Sequence, residues 1–174
     1  MTKQVFVING SGGVGKDTFV DLVTIISGYK AKQFSSVEKV KDIARQIGWN
    51  GQKDEKSRKF LSDLKILCSN FCDMPFKSMM DANAHFQKEK QYEMIFFHIR
   101  EPEEIARAVR AFGAKTILIK RSSVPHIISN MADGGVYNYN YDITVHNDGD
   151  IQDLKSKAEK FYSDFKNGTL ANIY

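Results

Sequence analysis

Cysteine, proline and tryptophan are scarce in this chain of 174 residues, which holds two, three and one of them. Cys68 and Cys72, without further cysteines or paired histidines beside them, cannot make a four-ligand zinc site. They read as free thiols buried on one helix face. So little proline, with 42% apolar and 26% charged residues, excludes disorder and linker-like composition as descriptions of the whole. Long apolar runs are missing too. Stretches such as Val5 to Ile8 and Met94 to Phe97 fall far short of the roughly 20 residues that cross a bilayer. The first residues carry neither the apolar segment nor the small-residue cleavage site of a secretory signal, so the expectation is a cytoplasmic chain with no membrane partner. Charge of one sign is barely in excess, at 25 basic against 21 acidic residues. That surplus suits phosphorylated ligands but not a nucleic-acid polymer. The length fits one domain, residues 1–174.

What is present is alternation. Gln4 to Asn9 is a short β-branched and aromatic run suited to a central parallel strand, and a glycine cluster follows at once. Lys16 to Ser27 carries apolar residues at helical spacing and stops at Gly28. Tyr29 to Phe34 reads as a second strand, and Ser35 with Glu38 has capping-box spacing ahead of a stripe of Val37, Val40, Ala44 and Ile47. Between Asp54 and Cys72 the set Phe60, Leu61, Leu64, Leu67, Cys68, Phe71 and Cys72 repeats at three and four, and a weaker pattern follows Pro75. Strand character returns at Glu93 to Ile99, Thr116 to Lys120 and Tyr141 to Val145, with helices after Pro102 and Ile151. The expectation is an α/β domain with a five-stranded parallel sheet flanked by helices, interrupted by a helical insert over 35–90 and a short lid over 122–140.

The chemistry concentrates in Gly10, Ser11, Gly12, Gly13, Val14, Gly15, Lys16, Asp17 and Thr18, where Gly10, Gly15 and Lys16 have the spacing G-x-x-x-x-G-K. Glycines let successive backbone N–H groups turn inward around phosphate oxygens. The helix that follows offers its positive end, and the lysine adds a mobile charge for the β- and γ-phosphates. This nine-residue segment reads as an ATP phosphate-binding loop. Asp17 stands where Ser or Thr usually reaches Mg²⁺, with Thr18 displaced by one. Asp17 is therefore the candidate metal residue, or else a first-turn partner of the helix dipole.

The Gly-Lys-Asp-Thr sequence of this loop resembles that of the P-loop nucleoside monophosphate kinase superfamily, and most closely the bacteriophage-type deoxynucleoside monophosphate kinase-like proteins. Gly48-Trp49-Asn50-Gly51-Gln52-Lys53-Asp54 with Arg58 is similar to that branch's Gly-Trp-x-Gly-x-Lys-Asp-x-x-x-Arg segment. Ile99-Arg100 with Glu103-Glu104, and Asn147-Asp148-Gly149-Asp150 with Leu154, resemble its Asp-Val-Arg segment and its C-terminal Asn-Asp-Gly turn. His98 stands where the branch has Asp.

The resemblance implies a P-loop NTPase fold and ATP- and Mg²⁺-dependent phosphoryl transfer to a nucleoside or deoxynucleoside monophosphate. Lys16 and Arg121 would be catalytic and Arg58 and Arg100 would bind the acceptor phosphate. Trp49 and Phe34 are candidates to stack on the acceptor base, or else core residues. Another small-molecule P-loop kinase, such as one acting on dephospho-coenzyme A, shares the loop and sheet. A non-catalytic nucleotide-binding module is favoured by His98 and by the absence of Arg and Lys from residues 122–140.

Overall fold

Alternate side chains of the first strand enter two separate cores, as a strand covered on both faces requires. Phe6 and Ile8 pack with Phe19, Val20 and Val23 on one face, while Val5 and Val7 pack with Ile105 and Ala108 on the other. All four strand residues are at most 3% exposed. Each contributes about 1.5–3 kcal/mol of burial to the domain. The computed structural model describes residues 3–52, 54–124 and 135–174.

In chain order the elements are β1 (Gln4–Asn9), α1 (Lys16–Ile26), β2 (Ala31–Ser35), α2 (Glu38–Gln46), α3 (Glu55–Cys72), α4 (Met74–Lys88), β3 (Met94–His98), α5 (Pro102–Phe112), β4 (Lys115–Lys120), β5 (Ile143–His146) and α6 (Ile151–Asn167). The sheet has five strands in the order β2-β3-β1-β4-β5, and every pairing is parallel. This is the five-stranded parallel α/β arrangement expected from the sequence. From β1 the chain leaves through α1 toward β2, and from β3 it leaves through α5 toward β4. The two connections diverge to opposite faces, which opens a crevice at the carboxyl ends of β1 and β3.

Several local expectations are corrected. Ser35 does not cap α2. It ends β2, paired with His98, and α2 starts at Glu38 with no side-chain cap at Val37. Strand pairing has taken the residue that local spacing offered to the helix. Tyr29 and Lys30 lie outside β2, and Tyr29 has φ 62° in the turn after α1. On α2, Val40 and Ala44 are buried, but Ile47 is 65% exposed. The apolar repeat of α3 is not a buried stripe: Ser57 and Lys65 are its buried residues, while Leu67 and Phe71 are 65% and 88% exposed. Cys68 is half-buried and Cys72 exposed, its thiol directed at the Cys68 carbonyl, so the pair does not form a buried face. α3 lies outside α4, which itself covers the sheet through Phe76, Met79 and Phe86. The expected lid over 122–140 falls partly outside the described residues.

Candidate functional site

The loop between β1 and α1 is set by backbone geometry that a side chain would disturb. Gly15 has φ 92° and ψ 19° immediately before α1, and a Cβ there would meet Asn147 Nδ2 at 2.4 Å. That same Nδ2 donates to the Val14 carbonyl at 2.8 Å, and the Asn147 backbone N–H donates to the Lys120 carbonyl at 2.7 Å. Asn147 therefore ties the loop to the end of β4. Gly10, with φ 156°, would bring a Cβ to 2.7 Å from the Ile119 carbonyl oxygen. Val14 is the loop's apolar anchor at 1% exposure. Gly12 and Gly13 are exposed. The Ser11 side chain is buried, and its hydroxyl bonds the Tyr137 hydroxyl at 3.2 Å. Asp17 lies in the first turn of α1, and Thr18 beside it is also exposed.

Asn9 supports this loop from the strand side. Its Oδ1 accepts from the Gly10 N–H at 2.8 Å, while its Nδ2 donates to the Arg100 carbonyl at 3.1 Å and to the Tyr141 hydroxyl at 2.8 Å. Tyr141 passes the chain on to the Val136 carbonyl, and burial pushes its pKa up to about 12. One buried amide thus fixes the ends of β1 and β3 relative to each other. Asn9 and Tyr141 escaped the sequence reading. The signal was a polar residue ending an otherwise apolar strand directly before a glycine.

Two sides of the loop carry different chemistry. Toward β4 and β5, a cleft of about 210 Å³ is lined by Gly13, Gly15, Thr18, Arg121, Asn147 and Gly149, among others. Arg121 Nε donates to Ser123 Oγ at 3.3 Å. Asp148 accepts from the Ser122 N–H, and Asp150 caps α6 by accepting from the Gln152 and Asp153 N–H groups. The Asn-Asp-Gly-Asp turn thereby forms a wall of the cleft. Toward β3, Asp17 faces His98: Asp17 Oδ1 and His98 Nδ1 are 3.4 Å apart. His98 Nε2 bonds Gln33 Oε1 at 3.2 Å. The ring is mostly buried, and that burial holds its pKa below the ordinary histidine range. Asp17 and Asp21 pull upward, and Lys16 and Lys41 add to the lowering. Lys16 is thus placed so that its charge reaches the same crevice.

The two arginines assigned to an acceptor are positioned differently. Arg100 follows β3 at the crevice and is half-buried. Arg58 lies in the first turns of α3, exposed, and its guanidinium makes no hydrogen bond or ion pair among the described residues. α3 is nevertheless tied to the Arg100 loop, because Lys65 Nζ lies 2.7 Å from Glu101 Oε2 and 2.8 Å from Glu104 Oε2. Burial acts first on both carboxyls. Lys65 overcomes it at Glu101, whose pKa is lowered, whereas at Glu104 burial and the Glu101 charge prevail and the pKa is raised. Arg58 stands two turns from Lys65, about 10 Å along the helix. Phe34 is half-buried and packs edge-on against Phe97 at the margin of the core. Trp49 donates its indole N–H to the Gln52 carbonyl and lines a second, open cavity of about 380 Å³ with Lys56 and Phe60.

Among the described residues no three His, Cys, Asp or Glu side chains converge as a metal site, and no helix is long and apolar enough to cross a membrane. The donors that face each other beside the loop are one carboxylate and one imidazole nitrogen. That set matches Mg²⁺ poorly, since Mg²⁺ prefers oxygen throughout.

Compared with solved structures, the chain is similar to a sugar kinase from a Janibacter species, at 14% identity and a TM-score of 0.47 over 98% of this chain and 99% of that one. It is also similar to thymidylate kinase from Ehrlichia chaffeensis, at 16% identity and a TM-score of 0.32 over 100% of this chain and 93% of that one. No protein-family model matches the chain, and no curated protein matches it in sequence.

Proposed function

We propose that the protein transfers the γ-phosphoryl group of ATP to the phosphate of a nucleoside or deoxynucleoside monophosphate. The observation that carries this reading is the loop from Gly10 to Thr18. It sits at the carboxyl end of the central strand, wound through left-handed glycines into the N-terminus of α1. Backbone N–H groups, the helix end and Lys16 are a preformed receptor for a polyphosphate, and they stabilise charge without reorganising when it moves. Arg121 reaches the donor from the cleft beside Asn147. Arg100, at the crevice between β1 and β3, and Arg58, on the insert over 35–90, orient the acceptor phosphate by their planar forks. An acceptor phosphate is already a nucleophilic anion, so no general base is needed. A divalent cation at Asp17 would offset phosphate charge.

A non-catalytic nucleotide-binding module is the second reading. It is favoured by His98, which engages Asp17 where the resembling kinases have an Asp. ATP consumption measured with and without each monophosphate separates the two. The expected result is consumption that depends on one class of acceptor and falls at least about 100-fold in Lys16→Ala. ATP binding without acceptor-dependent turnover would favour the second reading, and unchanged ATP affinity and turnover in Lys16→Ala would overturn both.

A further inference from the structure

The hydrogen-bond chain behind His98 determines which ring nitrogen carries its proton. Gln33 Nε2 donates to Asp21 Oδ1 at 3.1 Å. The Asp21 carboxylate only accepts, so the amide nitrogen must face it and the amide oxygen must face the imidazole. His98 Nε2 therefore donates its N–H to Gln33 Oε1 at 3.2 Å, and Nδ1 keeps its lone pair. That nitrogen lies 3.4 Å from Asp17 Oδ1. Two acceptors facing each other repel unless a cation lies between them. A proton is one such cation and a metal dication is another.

We infer that Asp17 Oδ1 and His98 Nδ1 are two ligands of a first-row transition dication, bound in preference to Mg²⁺ and completed by phosphate oxygens and water. The inference rests on the nucleotide reading above, because among the described residues the protein alone supplies too few ligands to close the site. Adjacent ligands at right angles, each about 2.1 Å from the ion, stand about 3.0 Å apart. The observed 3.4 Å needs only a small turn of Asp17, whose side chain is 74% exposed and free to make it. His98 is already aimed, since its other nitrogen is held by Gln33 in the way that ring orientation is set at metal-bound histidines. Imidazole binds transition dications well and Mg²⁺ poorly, so replacing a carboxylate by His98 exchanges one metal class for the other.

Mn²⁺ with a non-hydrolysable ATP analogue is the probe. Pulsed electron paramagnetic resonance of that ternary complex is expected to show a directly bound nitrogen, absent in His98→Gln. Calorimetry is expected to show Mn²⁺ favoured over Mg²⁺ by at least about tenfold more than by the free analogue, with the gap closed in His98→Asp. The second variant restores an all-oxygen pair and serves should the first not fold. Nucleotide-dependent Mn²⁺ binding without nitrogen coupling overturns this inference and leaves the nucleotide reading standing. Failure of the analogue to bind with either metal overturns the nucleotide reading and, with it, this one.

Discussion

The phosphate-loop end of the sheet and the helical insert between β2 and β3 are built on opposite principles. The loop is positioned by backbone: glycines in left-handed conformations, a carbonyl held by Asn147, and an amide held by Asn9. Its apolar anchor, Val14, is fully enclosed. The outer helix of the insert, α3, is instead positioned by side chains, and its buried residues are a serine and a lysine. Its Leu67 and Phe71 stand in solvent. A receptor for phosphate must exist before the ligand arrives, because its N–H groups work by preorganisation. Under the proposed function, a segment that carries Arg58 to a second substrate needs only a tether, and the Lys65 bridges to Glu101 and Glu104 would supply it.

If this contrast is right, the most damaging single change lies in the loop and involves one methyl group. Gly15→Ala must hold a non-glycine residue at φ 92° and displace the Asn147 side chain. It is expected to cost about 2–4 kcal/mol in denaturant unfolding and to lower ATP affinity as well. A variant with unchanged stability and affinity would show that the loop is not preorganised by its backbone.

On the insert, Lys65→Met removes the tether and leaves two part-buried carboxylates unpaired. The expected loss is about 1–3 kcal/mol, with acceptor KM raised and ATP affinity nearly unchanged. Equal damage to ATP binding would erase the distinction between the two regions.

A third test lies at the amino end of β3, across the sheet from the loop. Glu93 is buried with Lys30, Lys166 and the Tyr162 hydroxyl around it. Burial opposes its ionisation, but the lysines prevail and hold its pKa below the ordinary glutamate value of 4.5. A lowered folded pKa means that its stabilisation is complete above about pH 5 and is lost as pH falls through the lowered value. The acid arm of a stability–pH profile is therefore expected to flatten in Glu93→Gln, while nucleotide affinity at neutral pH stays the same.

The smallest effect is expected at Phe71→Ser, within about 0.5 kcal/mol, because an 88% exposed ring loses almost no burial. A loss above about 1.5 kcal/mol in thermal unfolding would show that this helix face is covered in solution and that the insert is packed as tightly as the loop.

The sequence alone determined the strand–loop–helix from Gln4 to Ile26, along with the alternation of strands and helices that implies a parallel sheet. These are local properties: a period of two or 3.6, a glycine cluster and a lysine act over neighbouring residues, and packing had little to override. Arg100 and the Asn-Asp-Gly-Asp turn drew notice instead through the resemblance to a kinase branch, which no period or spacing supplies. The tertiary structure decided the rest. Ser35 had capping spacing, yet β3 claimed it for the sheet. The repeat in α3 showed an apolar stripe, but which side of a helix is buried depends on what lies against it, and the side that carries Lys65 lies against Glu101 and Glu104. Asn147 meets Val14, and His98 meets Asp17, because the parallel order β3-β1-β4-β5 brings the carboxyl ends of those strands together. No period or spacing encodes such a meeting, since it follows from strand order and register, which the whole chain settles only when it packs.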